Sequence, residues 1–150
     1  MIENLDETIQ GVQNGLGKEW TVTKLIHNED AEPCFLVRKI FQTDRLFLAH
    51  GFASMLMIFL KPKSLIYEVF PYKYFKSGYQ PLAEEIGVEH HFACQEAPIS
   101  ALQGLLLGLI PRQLCMFHVK CRNYASHFNV YITPAMIQHF SMNTVALVNQ

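Results

Sequence analysis

Apolar residues in this chain fall into short segments whose spacing changes from one to the next. Arg45–Ala49 (RLFLA) is a compact apolar run that suits a buried parallel strand. Residues 52–60 follow, rich in Met and Leu, and predict a buried helix. Lys61-Pro62-Lys63 stops that helix, because Pro62 lacks an N–H and disfavours helical backbone at Lys61. Residues 64–70 (SLIYEVF) are β-branched and aromatic, enclose Glu68, and predict a second strand closed by Pro71. Residues 45–71 therefore read as one right-handed strand–helix–strand unit, with His50-Gly51 at the carboxyl end of its first strand.

The flanking segments extend the same rhythm. Leu5, Ile9 and Val12 keep helical spacing within residues 3–14, and Gly15 and Gly17 end that helix. Residues 20–26 (WTVTKLI) alternate and predict a strand; residues 27–32 (HNEDAE) form a polar loop. Pro33 opens a helix to about residue 43, with Phe35, Leu36, Ile40 and Phe41 expected on its buried side. Residues 72–78 read as an aromatic, basic loop, 79–86 as a helix stopped by Gly87, and 88–94 (VEHHFAC) as a strand. A helix is predicted at 99–109, irregular chain at 111–126, a strand at 127–132 and a closing helix at 134–148. Strands alternating with helices predict one α/β domain over residues 1–150, a parallel sheet with helices on both faces.

Composition narrows the function classes. Half of the residues are apolar and 17% are charged, as in a folded domain with a real core. Net charge is −1 and there is no basic block, so nothing points to nucleic acid. The longest apolar stretch, 46–60, is too short to span a membrane and carries His50. The polar, acidic start, MIENLDETIQ, does not read as a signal peptide. Cys34, Cys94, Cys115 and Cys121 form no CxxC pair, which argues against a zinc site. Cys115 and Cys121 are close enough for a local disulfide in an oxidising compartment; small buried thiols are the equal alternative.

The chemistry concentrates around His50. In open α/β sheets ligands bind beyond the carboxyl ends of strands, where helix N-termini attract phosphate. His50 would donate to a diphosphate there, and Gly51 would offer an open backbone N–H. Glu68, costly if unpaired in an apolar strand, would accept from ribose hydroxyls or pair with a cation. Ser54 would offer a hydroxyl, or face the core bonded to the preceding turn. Arg38 and Arg45 would neutralise phosphate, against the plainer reading of solvated charges. Tyr72, Tyr74, Phe75 and Tyr79 suit core packing or loop filling better than stacking on a uridine base. His90 and His91 point to opposite faces of a strand, cannot chelate one metal together, and read as structural. There is no P-loop, GxGxxG, HExxH or recognisable Ser-His-Asp context.

Several of these pieces, in this order, resemble glycosyltransferase family 61, the family of protein O-linked N-acetylglucosaminyltransferases and plant xylosyltransferases. They are His50-Gly51, then Met57-Ile58-Phe59-Leu60-Lys61-Pro62-Lys63-Ser64, then Ile66-Tyr67-Glu68-Val69-Phe70-Pro71. Tyr79, Leu82-Ala83, Ile86-Gly87-Val88, Cys115 and Cys121-Arg122-Asn123 continue the likeness, which spans about residues 3–147. The family's second glycine and Thr-Asn are replaced here by Phe52–Leu56. The resemblance implies the C-terminal, donor-binding half of a two-lobed GT-B fold, binding a UDP-sugar and transferring the sugar with inversion to a glycan or protein hydroxyl. It implies no metal cofactor, which the absence of a DxD motif fits. A missing N-terminal lobe, or another chain, would complete it. The family's secretory-lumen setting contrasts with a cytoplasmic one if the chain is complete as given. The changed segment at 52–56 also admits a non-catalytic relative acting as a binding module.

Overall fold

In this computed structural model, which describes residues 1–25 and 32–148, the centre is a parallel three-stranded sheet. Its strands are β1 (Arg45–Ala49), β2 (Leu65–Phe70) and β3 (Glu89–Cys94), in the order β1-β2-β3. β2 is central and every one of its residues is buried, which is why it reads as a nearly continuous apolar run. The register sets Leu48, Glu68 and Phe92 side by side, and Ile66 beside His90.

Seven α-helices surround the sheet: α1 (Leu5–Leu16), α2 (Pro33–Phe41), α3 (Gln80–Glu85), α4 (Ala101–Leu107), α5 (Arg112–Phe117), α6 (Val119–Ser126) and α7 (Pro134–Val148), among the described residues. Odd positions of β2, Leu65, Tyr67 and Val69, pack on Val12 and Leu16 of α1 and on Met136 and Phe140 of α7. Ile66 faces the other way, into Ile40, Leu46, Leu48, Met57, Leu60 and Ala83. Gly11 lets α1 and α7 close up, since a Cβ there would stand 2.7 Å from Cδ1 of Ile137. A third cluster joins Phe70, Tyr72 and Tyr74 to Leu107, Cys115 and Ala125, one residue from each of α4, α5 and α6.

Several sequence expectations change. Residues 52–60 form a 3₁₀ helix, Phe52–Phe59, not an α-helix. Its buried residues, Ser54 and Met57, continue to Leu60 at intervals of three, the period of a 3₁₀ turn. Phe52, expected to be buried, is 88% exposed. Residues 20–25 form no strand: the Gln13 side chain donates to the carbonyls of Gly17 and Trp20 and accepts from Val22 N–H, fastening them to α1. The rest of that predicted strand, and residues 27–31 of the polar loop, lie outside the described residues. Residues 127–132 make only the isolated bridge Ile2↔Val130, because Asn4 and Gln95 side chains take the backbone groups of Ile132 and Tyr131. Phe35 and Phe41 are exposed; the ammonium groups of Lys39 and Lys61 lie over their rings instead. The stretch expected to be irregular, 111–126, holds α5 and α6, joined by the Cys115–Cys121 disulfide. Their only fully buried residues are Cys115 and Ala125, too small to mark a helical stripe.

Candidate functional site

Glu68 lies in the middle of the central strand and is completely buried. Side-chain direction alternates along a strand, so Glu68 shares a face with Leu48 and with His50, two residues further on. It equally shares a face with His90 on β3, which lies opposite Ile66. The carboxylate thus has an imidazole on each diagonal. Nδ1 of His50 lies 2.7 Å from Oε1, and Nε2 of His90 lies 3.0 Å from Oε2. Ser54, on the inner edge of the 3₁₀ helix, donates its hydroxyl to Oε1.

Burial raises the Glu68 pKa, but hydrogen bonds from His50, His90 and Ser54, with the charge attraction of His50, outweigh it and leave the value at about 2. Glu68 is therefore a carboxylate that can only accept. That assigns the protons: His50 donates through Nδ1 and His90 through Nε2. Nδ1 of His90 is buried and has no partner among the described residues. The ring of His50 is held by aromatic neighbours, with centroids 4.5 Å from Phe70, 5.0 Å from Tyr74 and 5.9 Å from Tyr79.

The backbone turns sharply after His50. Its N–H continues the parallel ladder to the carbonyl of Val69 at 2.8 Å. Gly51 has φ 154° and ψ −164°, a region that residues with a Cβ rarely enter. Nothing lies within 4 Å of where its Cβ would be, so the glycine is required by the turn and not by crowding. Its carbonyl accepts from Ser54 N–H at 3.0 Å, starting the 3₁₀ helix.

The structure brings His50, Gly51, Ser54 and Glu68 together and sets two predicted residues apart. Arg45 is the first residue of β1, at the opposite end of the strand from His50, roughly 16 Å away at strand rise. There its guanidinium binds the carbonyl of Asp44 and lies over Trp20. Arg38 is exposed on α2, 3.8 Å from Glu32. Neither reaches the Glu68 cluster. His90 is the member that sequence reasoning missed; His91 is apart, 3.6 Å from Glu89. Tyr72 and Tyr74 are buried in the third cluster, as the packing reading expected. Among the described residues, no group of three or more His, Cys, Asp or Glu is placed to hold a metal ion.

An open cavity of about 850 Å³ lies elsewhere, between α1 and α7, lined by Asn4, Gly11, Ile132, Ile137, Ser141 and Met142 among others. It contacts none of the His50–Glu68 group. Comparison with protein-family models finds no match for this sequence, and comparison with curated proteins finds none either.

Proposed function

We propose that this chain is the donor-binding domain of a metal-independent, inverting glycosyltransferase of the family 61 type. On this reading it corresponds to the Rossmann-like C-terminal half of a GT-B enzyme, holding a UDP-sugar for transfer to a hydroxyl acceptor. The observation that carries it is the meeting of His50 and Glu68, 2.7 Å apart, beside the open backbone of Gly51. In support, His50 lies just past the carboxyl end of β1, the edge at which α/β sheets bind ligands, and Glu68 holds it from the middle of β2.

The chemistry follows from the proton assignment. Glu68 accepts from the Nδ1 proton and fixes the ring, which leaves Nε2 of His50 without a partner among the described residues. Protonated, that nitrogen donates to the diphosphate as the glycosidic bond breaks and negative charge grows on it. Fixed donors of this kind stabilise the transition state more than the ground state. The base that removes the acceptor proton is not among these residues, so turnover needs a second lobe.

A specific observation favours a second reading, a non-catalytic binding module. Glu68 is fully buried, both its oxygens are taken, and Phe70 and Tyr74 pack against His50. In that case the cluster serves the fold alone. Titration with UDP decides between them. Donor binding predicts a rise in melting temperature at millimolar UDP, with NMR shifts at His50 and Gly51. Unchanged melting and unchanged spectra would overturn it in favour of the module.

A further inference from the structure

Two tyrosines meet His50 with their hydroxyls unused. The carbonyl of Pro71 accepts from Tyr74 N–H at 3.1 Å, closing a tight turn in which Lys73 takes φ 63°. Residues with a side chain seldom adopt that backbone, so packing holds the turn in place. It brings the Tyr74 ring to His50, with centroids 5.0 Å apart, and Tyr79 meets the same imidazole at 5.9 Å. The His50 side chain is 9% exposed and Tyr74 is 7% exposed. Among the described residues, the sealed side-chain atoms without a partner are Nε of Arg45, Nδ1 of His90 and Nε2 of Gln103. Neither Nε2 of His50 nor the Tyr74 hydroxyl has a partner among those residues, yet neither belongs to that sealed group. Both polar tips therefore reach solvent from side chains that are nine-tenths buried. Next to His50, Gly51 leaves space, with nothing within 4 Å of its Cβ position.

A cation accompanies these donors. Cys121, in the first turn of α6, packs against the cluster that holds Tyr74, and Arg122 follows it. Burial raises the Tyr74 pKa; the charge of Arg122 opposes the rise, and Tyr79 and Glu68 add to it. These groups thus share one electrostatic neighbourhood. Arg122 is half-buried. The ion pairs of Lys and Arg among the described residues are Lys24–Asp6, Arg38–Glu32 and Lys61–Asp44, and Arg122 is in none of them. No Asp or Glu occurs after Glu96 to supply a partner from its own part of the chain. Glu68 is engaged already, since His50, Ser54 and His90 occupy its two oxygens.

We propose that Tyr74, Tyr79 and Arg122 join Nε2 of His50 to bind a diphosphate oxyanion. The inference rests on the donor-site reading in sharing His50 with it, and puts a cation from α6 where the sequence suggested Arg38 and Arg45. The set supplies two phenolic O–H groups, an imidazolium N–H and a guanidinium fork. A carboxylate would use part of that set, whereas the several oxygens and higher charge of a diphosphate use all of it. Protonated His50 balances Glu68, so Arg122 leaves the corner positive.

Calorimetric titration with inorganic pyrophosphate, UDP, uridine and acetate tests it. Pyrophosphate and UDP are expected to bind, and uridine and acetate to bind far more weakly. Tyr74→Phe keeps the ring and removes only the hydroxyl. This variant and Arg122→Gln should each weaken pyrophosphate roughly tenfold or more, the worth of a hydrogen bond to a charged group. Lys120→Ala removes an exposed cation two residues from Arg122 and should change the affinity less than about twofold. Melting curves check folding, and Tyr79→Phe, at a half-buried side chain, gives the same reading if either variant fails to fold. UDP binding that Tyr74→Phe and Arg122→Gln leave unweakened overturns the inference while the donor reading stands. Pyrophosphate binding that both weaken, with UDP no tighter, upholds the inference while the donor reading falls. Absence of pyrophosphate binding, equal binding of acetate, or equal weakening by Lys120→Ala overturns it.

Discussion

Nδ1 of His50 and Oε1 of Glu68 stand 2.7 Å apart, joining the end of β1 to the middle of β2 across a buried face of the sheet. A buried carboxylate is tolerable only while its donors remain, so this pair ties stability to ionisation. The folded-state pKa of Glu68, about 2, lies below its ordinary 4.5. Its contribution is complete above pH 4.5 and is lost as pH falls toward 2, in total on the order of 3 kcal/mol. Urea unfolding at a series of pH values should show this slope in the native chain and lose it in Glu68→Gln. Equal slopes in the two proteins would mean that Glu68 is not the group responsible.

Replacement of Gly51 by Ala should cost about 1–3 kcal/mol through backbone strain alone, since the space beside it is open. Gly51→Val should cost a similar amount. Thermal unfolding of the two variants checks this; a much larger loss in Val would point to crowding instead.

The Cys115–Cys121 bridge closes a short loop between α5 and α6, separated by six in sequence. Its reduction should lower stability by about 2 kcal/mol, the low end of the range for disulfides. Denaturant unfolding with and without dithiothreitol gives the difference, and Cys115→Ser with Cys121→Ser should match the reduced protein.

If the chain binds UDP, Arg38→Ala and Arg45→Ala should leave the affinity unchanged. Arg45 stands at the far end of β1 and Arg38 faces solvent on α2. His50→Ala should weaken binding at least tenfold, a loss of about 1.4 kcal/mol or more. Calorimetric titration of the three variants makes the comparison, and equal weakening in Arg45→Ala would place the phosphates elsewhere.

The strands β1 and β2 were legible as short apolar runs ended by Gly or Pro, and β3 as an alternating segment ended by a polar pair. The closing helix was too, opened by Pro134. The two strands that do not form share a cause. Residues 20–25 and 127–132 have strand-like side chains, but Gln13, Asn4 and Gln95 supply amides that compete for the backbone. Propensity does not register a partner that arrives from elsewhere in the chain. The site was half visible. In sequence His50 and Glu68 stand out as polar residues in apolar surroundings, whereas His90, unable to chelate with His91, reads as structural. Alternation placed it on the Glu68 face all along; what sequence lacked was the pairing of Ile66 with His90. Arg45 was legible in the other direction, since the first residue of a strand cannot reach its last.

The 3₁₀ geometry of Phe52–Phe59 carries a consequence for how this segment tolerates change. With inward positions at Ser54, Met57 and Leu60, a saturation scan should find vulnerability recurring every third codon, with permissive sites such as Phe52 and Ile58 between. An insertion of one residue would rotate Ser54 off the carboxylate, so length variation in this loop is excluded more strictly than its sequence is.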